Sequence, residues 1–190
     1  MKTIKKELIN EIIIKNSKFI NILIPINSNK IDYYLNYYKE KYPKATHYCY
    51  AYIYQDIKKC SDDNEPSQTA GMPMLNVLES NNLINVLTIT IRYFGGIKLG
   101  AGGLVRAYTK SVTENLKNQE FIELEEGYLI KIKFPYSKEK EIKHFIKEKN
   151  IKEKTYQENI TFVATISKEK LKDFLYPYKI IEEVLIEKDS

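Results

Sequence analysis

The hydrophobic and polar positions of the chain change period several times, and each change predicts an element. Leu8 to Ile14 and Lys18 to Ile24 carry the apolar content of two strands, the second closed by Pro25. Asn27 or Ser28 is then placed to cap a helix whose Ile31, Tyr34, Leu35, Tyr38 and Tyr42 share one face, with Pro43 ending it. From Thr46 to Tyr54 the period drops to two, so that Tyr48, Tyr50, Tyr52 and Tyr54 point one way and His47, Cys49, Ala51 and Ile53 the other. The small apolar face predicts helices packed against it. The tyrosine face has two readings: rings half covered by neighbouring elements, or Tyr48, Tyr50 and Tyr52 open enough to stack nucleobases.

An acidic turn follows, Ser61 to Pro73, with Asn64 suited to a left-handed position and Thr69 to the N-cap of a helix over Ala70 to Glu79. Val86 to Phe94 is β-branched and nearly continuous in apolar residues, which predicts a buried strand. Beyond it, Leu104, Tyr108, Val112 and Leu116 form one helical stripe, with Arg106, Lys110 and Lys117 on the other face. The pattern resets in the acidic stretch Phe121 to Gly127. We place a domain boundary there, with one domain over 1–124 and a second over 127–190.

The second domain reads as strand Tyr128 to Phe134, a helix capped by Ser137 with Ile142, Phe145 and Ile146, and a hairpin of Ile151 to Gln157 with Ile160 to Ile166. A helix capped by Ser167 with Leu171, Phe174 and Leu175 and a strand Ile180 to Ile186 complete it. This βαββαβ order is the ferredoxin-like split βαβ arrangement, and the whole chain is of α+β class.

The 190 residues include 43% hydrophobic and 29% charged residues, the balance of a globular protein. The start is basic but has no long apolar run, and no segment is apolar enough to span a membrane, so a cytoplasmic protein without membrane contact is expected. Two cysteines, Cys49 and Cys60, lack CxxC spacing and supply no disulfide framework. The net charge of +5 is unevenly spread. Residues 1–120 hold 16 Lys plus Arg against 11 Asp plus Glu, whereas 121–190 hold 14 of each. The positive excess therefore lies in the first domain, where it suits a polyanionic partner.

That excess accompanies a loop in which Gly95, Gly96, Gly100, Gly102 and Gly103 fall within nine residues, between the Val86 strand and the Leu104 helix. Glycine at this density answers to positive φ or to close approach of another group to the backbone. With Arg92, Lys98, Arg106 and Lys110 around it, the loop is a candidate anion or RNA site, built from backbone N–H groups, a helix N-terminus and cations. The other reading is a tight strand-to-helix crossover. Known nucleotide motifs do not fit, since a Walker A lysine would fall at Ala101 and the third glycine of a dinucleotide fingerprint at Val105.

The carboxylates Asp62, Asp63 and Glu65, with His47 upstream, have the chemistry of an acid, a base or a divalent-cation ligand. Their spacing matches no EF-hand loop or zinc motif, and solvated turn charges or pairing with Arg92, Lys98 or Arg106 explain them more simply. No metal and no cofactor is assigned.

Three segments, THYCYAY at 46–52, SDDNEPSQTAGMPML at 61–75 and RYFGGIKLGAGGLVRAYTK at 92–110, resemble the IMPACT family in its bacterial, YigZ-like branch. The family pattern SDDGEPSGTAG has glycines where this chain has Asn64 and Gln68. The resemblance implies a two-layer N-terminal domain like a small-subunit ribosomal protein domain and domain IV of elongation factor G, and a C-terminal domain like domain V of that factor. Eukaryotic relatives look like translation regulators that bind the activator of the general-control eIF2α kinase through an extra N-terminal domain absent here.

The expectation is a non-enzymatic, translation-associated regulator, a monomer. Its partner would be RNA, the ribosome or a translation-related protein, met through the basic glycine-loop surface. The alternative is an enzyme for a small anionic or phosphate-bearing ligand, with Asp62, Asp63 or Glu65 as acid, base or metal ligand. An adaptor docking through its C-terminal domain is a third reading.

Overall fold

The structure is a computed structural model that describes residues 1–27 and 30–188. It divides into two compact units, Met1–Ile122 and Glu123–Ser190.

The first unit holds β1 (Lys2–Ile4), β2 (Leu8–Ile14), β3 (Ser17–Pro25), α1 (Ile31–Lys41), β4 (His47–Tyr54), β5 (Ile57–Ser61), α2 (Gly71–Ser80), β6 (Val86–Tyr93) and α3 (Ala101–Leu116). Five strands form an antiparallel sheet in the order β2-β3-β6-β4-β5, so the β-branched β6 sits at the centre. Its alternation decides the two faces. Leu87, Ile89 and Ile91 join Ile20, Ile22, Tyr52 and the α1 residues Ile31 and Tyr38 in one apolar cluster. Thr88, Thr90 and Arg92 face the other way, where the helices α2 and α3 pack. Helices therefore cover both faces of the sheet. This corrects the two layers implied by the resemblance, because α1 is amphipathic and the β6 side chains beneath it need burial as much as those under α3.

Two strands escaped the sequence pattern. Residues Lys2–Ile4 are too short to show a period, yet Lys2 exchanges backbone hydrogen bonds with Asn82 and Ile84. Ile57–Ser61 looks polar because it is an edge strand, paired only with β4 among the described residues. Helix α1 starts at Ile31 with Lys30 in the cap position and no side-chain cap, so Asn27 is not its cap; Ser28 lies outside the described residues.

The second unit contains most of β7 (Phe121–Phe134), then α4 (Glu139–Phe145), β8 (Ile151–Tyr156), β9 (Ile160–Ser167), α5 (Lys168–Leu171) and β10 (Tyr178–Glu187). All pairings are antiparallel in the order β10-β7-β9-β8, the strand order of the ferredoxin-like arrangement. Ile130, Ile132, Phe134, Phe162, Ile142 and Leu171 fill its core. Ser167 caps α5 by accepting a hydrogen bond from the Lys170 N–H at 3.2 Å. The helix is a single turn, however, and Leu175, placed on its apolar face from sequence, is exposed. Ser137 is no cap either, since it lies within the 3-10 turn Tyr136–Lys138 ahead of α4.

Gly95 ties the glycine loop to the β2–β3 turn. A Cβ there would stand 2.1 Å from the Asn16 carbonyl carbon and oxygen and 2.5 Å from the Ser17 nitrogen, so only glycine lets the two backbones touch. Gly96 has φ +84° with nothing within 4 Å of a Cβ, so it meets a conformational demand alone. Gly95→Ala is accordingly expected to destabilise by about 2–3 kcal/mol, as backbone overpacking does. Gly96→Ala should cost about 1 kcal/mol. Urea midpoints of the two variants give the order.

Candidate functional site

Sheet register brings the site together. Phe19, Arg92 and His47 lie side by side across β3, β6 and β4 and share the face beneath α2 and α3. The loop after β5 folds back over them. Arg92 is 4% exposed and Glu65 8%, and the Arg92 Nη1 donates to Glu65 Oε1 at 2.6 Å. The Tyr108 hydroxyl, brought by the apolar stripe of α3, donates to the same oxygen at 2.7 Å. Arg92 Nη2 reaches Ser17 Oγ at 3.4 Å, its Nε has no partner, and the guanidinium lies between the rings of Phe19 and Phe94 at 5.4 and 5.5 Å. A guanidinium so enclosed is neutralised by its carboxylate and flanked by aromatic rings, with one N–H left unpaired. Arg92 is therefore removed from the set of cations that can meet an external phosphate, a correction to the sequence expectation. Its strand position carried the signal: in Thr88, Thr90, Arg92 it continues the inward-facing set of β6.

His47 Nδ1 lies 2.8 Å from the Asp63 carbonyl oxygen. A carbonyl only accepts, so this nitrogen bears the proton, and Nε2 faces Glu65 Oε2 at 3.7 Å. The Cys49 thiol sits 3.0 Å from the Asp62 carbonyl oxygen and 3.3 Å from the Tyr108 hydroxyl. Burial pushes the Cys49 thiol pKa well above its ordinary value; the Tyr108 contact works the other way, and the nearby Glu65 adds to the rise. Burial likewise raises the Tyr108 hydroxyl, helped by Cys49 and Glu65. Both groups stay protonated at neutral pH, so Cys49 is no nucleophile.

The acidic loop is shaped by its carboxylates. Asp62 accepts from the backbone N–H groups of Gln68, Ala70 and Gly71 at 2.7, 2.9 and 2.8 Å, capping α2 from outside the helix. Thr69 instead donates to the Pro66 carbonyl at 2.6 Å. Asp63 Oδ2 accepts from the Tyr48 N–H at 2.6 Å. Asp63, Asn64 and Gln68 all have positive φ, at 41°, 66° and 62°. That conformation accounts for the glycines the family pattern places at two of these positions. With Asp62, Asp63 and Glu65 so engaged, acid, base or metal duty for them would break the bonds that build the loop. Among the described residues no group of three or more His, Cys, Asp or Glu could hold a metal ion.

The polar interior continues along α3. Asn21 Nδ2 donates to Thr88 and Thr90 hydroxyls, both at 2.8 Å, and Asn115 Nδ2 donates to Asn21 Oδ1 at 2.9 Å. Ser111 lies 3.1 Å from Thr90. Sequence reading missed this network and Tyr108; the legible trace was Asn21 inside an apolar strand and threonines at every second position of β6.

On the surface, Lys98, Arg106 and Lys110 are exposed, as are Gly96, Gly100 and Gly102. Gly100 has φ +70° and precedes α3, whose first turn contains Gly102 and Gly103 and no acidic residue. A Cβ on Gly103 would sit 3.0 Å from Leu99, so this glycine serves close packing. Lys15, in the β2–β3 turn, joins Arg106 and Lys110 around a pocket of about 310 Å³. The tyrosine row is not an open platform. Tyr52 is buried, Tyr48 and Tyr50 are half-buried in the cluster that α1 covers, and Tyr48 Oη donates to the Tyr42 carbonyl at 2.7 Å. This corrects the stacking role for Tyr48, Tyr50 and Tyr52, because α1 occupies their face.

Among the described residues no helix is long and apolar enough to cross a membrane. Residues 15–116 match the Impact N-terminal domain. YvyE of Bacillus subtilis (strain 168), an IMPACT family member, is 36% identical over 178 residues, covering 90% of this chain and 82% of that protein. YigZ of Escherichia coli (strain K12), another IMPACT family member, is 36% identical over 110 residues, covering 55% of this chain and 54% of that one. A crystal structure of a hypothetical protein superposes with TM-score 0.66 at 25% identity, covering 90% of this chain and 87% of its own.

Replacing Arg92 by Met leaves Glu65 buried without its cation and should destabilise by about 3–5 kcal/mol. The double variant Arg92→Met, Glu65→Leu should recover much of that loss, as read from urea midpoints. Cys49 should resist a thiol reagent at neutral pH until the protein unfolds, with the partly exposed Cys60 modified first; mass mapping of the labelled peptides tests this.

Proposed function

The chain belongs to the IMPACT family, and from that premise we propose that it is a non-enzymatic, cytoplasmic regulator of translation that contacts RNA, the ribosome or a translation factor through the basic surface of the glycine loop. The observation that carries this reading is a convergence of cations. Lys98, Arg106 and Lys110, with Lys15 from the β2–β3 turn, are exposed and form none of the ion pairs seen among the described residues. Elsewhere on the surface some lysines are paired, Lys58 with Glu79 and Lys117 with Glu114. An unpaired cationic group beside an acid-free helix N-terminus favours phosphate. The buried Arg92–Glu65 pair is no part of that surface. The hydrogen bonds by which Asp62, Asp63 and Glu65 hold the acidic loop together favour this reading over the enzymatic alternative.

Ribosome co-sedimentation over a salt series tests the reading. Wild type is expected to sediment at low salt and to release as salt rises, while a folded Lys98→Ala, Arg106→Ala, Lys110→Ala variant stays in the supernatant. Equal sedimentation of the two proteins, or sedimentation indifferent to salt, would remove the basic surface from the mechanism.

A further inference from the structure

The pocket beside the β2–β3 turn has a chemistry of its own. Ile14, Leu99 and Ala107 supply apolar lining, and Lys15, Arg106 and Lys110 stand around it. Those cations come from parts of the chain far apart in sequence, and the fold fixes their spacing. Lys15 and Asn16 both have positive φ, 45° and 62°, in the tight turn between the paired residues Ile14 and Ser17. That turn rests on Gly95, whose N–H donates to Ser17 Oγ at 3.2 Å. Arg106 and Lys110 stand one helical turn apart on α3, a spacing at which like charges repel. The adjacent acid, Glu114, pairs with Lys117 at 2.8 Å and is also held ionised, more weakly, by the charge of Lys110. The fold thus holds three cations around one apolar depression of about 310 Å³, at the lower end of the size range of small-ligand sites.

We infer that this pocket seats one nucleotide of a single-stranded RNA, its phosphates on Lys15, Arg106 and Lys110 and its base or sugar on Ile14 and Leu99. The inference rests on the RNA-contacting reading above and narrows it. Inorganic phosphate would satisfy the cations but leave the apolar lining unused. A duplex keeps its bases stacked and offers phosphates alone, whereas a single strand can splay one nucleotide into the depression. With no aromatic ring among the lining side chains, the seat offers no stacking platform and reads no base identity.

Fluorescence anisotropy with a short labelled single-stranded RNA, its duplex, and competition by a nucleoside monophosphate or inorganic phosphate tests the seat. The single strand is expected to bind at least about fivefold more tightly than the duplex, and the nucleotide to compete about fivefold better than phosphate. In the variant Lys15→Asn, Arg106→Gln, Lys110→Gln, the slope of log affinity against log salt should shrink by about 2. Asparagine tolerates the left-handed turn position, so an unchanged melting temperature separates lost binding from lost folding. Equal binding of both RNA forms, or equal competition by nucleotide and phosphate, overturns the seat while leaving a phosphate-contacting surface in place. Failure of both RNA forms to bind also overturns it, and ribosome sedimentation then decides the broader reading separately.

Discussion

Arg92 carries a full charge into a site 4% exposed, and the requirement that it be neutralised there ties β3, β4, β6, α3 and the loop after β5 to one another. Its partner must come from outside the sheet, so the loop after β5 is drawn inward until Glu65 lies at 2.6 Å. Once Glu65 is there, its neighbours Asp62 and Asp63 are placed to hold α2 and β4 through backbone N–H groups. Tyr108 completes the carboxylate's coordination and sets the rotation of α3 about its axis. A buried pair gains little over an apolar replacement, but it penalises any arrangement in which loop, sheet and helix are not all in place.

The glycine-loop surface follows from that arrangement. With Arg92 turned inward, the outer face of α3 is left to Arg106 and Lys110. The absence of Cβ at Gly95 lets the β2–β3 turn bring Lys15 beside them. Conformational and packing demands explain Gly95, Gly96, Gly100 and Gly103, so the density of glycine in this stretch is largely architectural. Chemistry for a partner resides in the side chains that the glycines position.

How much of this could be read in the sequence depended on how local each determinant is. The central strand β6 and the βαββαβ order were legible because apolar runs of β-branched residues and a Ser167 cap act over a few neighbours. β5 was not, because an edge strand takes its conformation from β4. The cap of α2 was misplaced onto Thr69 because the carboxylate that performs it, Asp62, lies outside the helix turn. Pairing of Arg92 with the acidic cluster was legible and the Glu65 contact bears it out, but its burial was not, because charge usually means exposure. The tyrosines of β4 were legible as a row, half covered or open; the half-covered reading holds, and what the sequence did not name was the cover, α1.

The sheet order also dictates a sequence of events as the chain leaves the ribosome. The β2–β3 and β4–β5 hairpins emerge first and are not adjacent to each other in the sheet; the strand that must lie between them, β6, comes last. Until residues 86–93 arrive, each hairpin exposes an edge that the native sheet pairs with β6, and Glu65 waits without its counter-charge. The sheet of the first unit therefore closes only once residue 93 has emerged, and its long-range pairings make that closure slow.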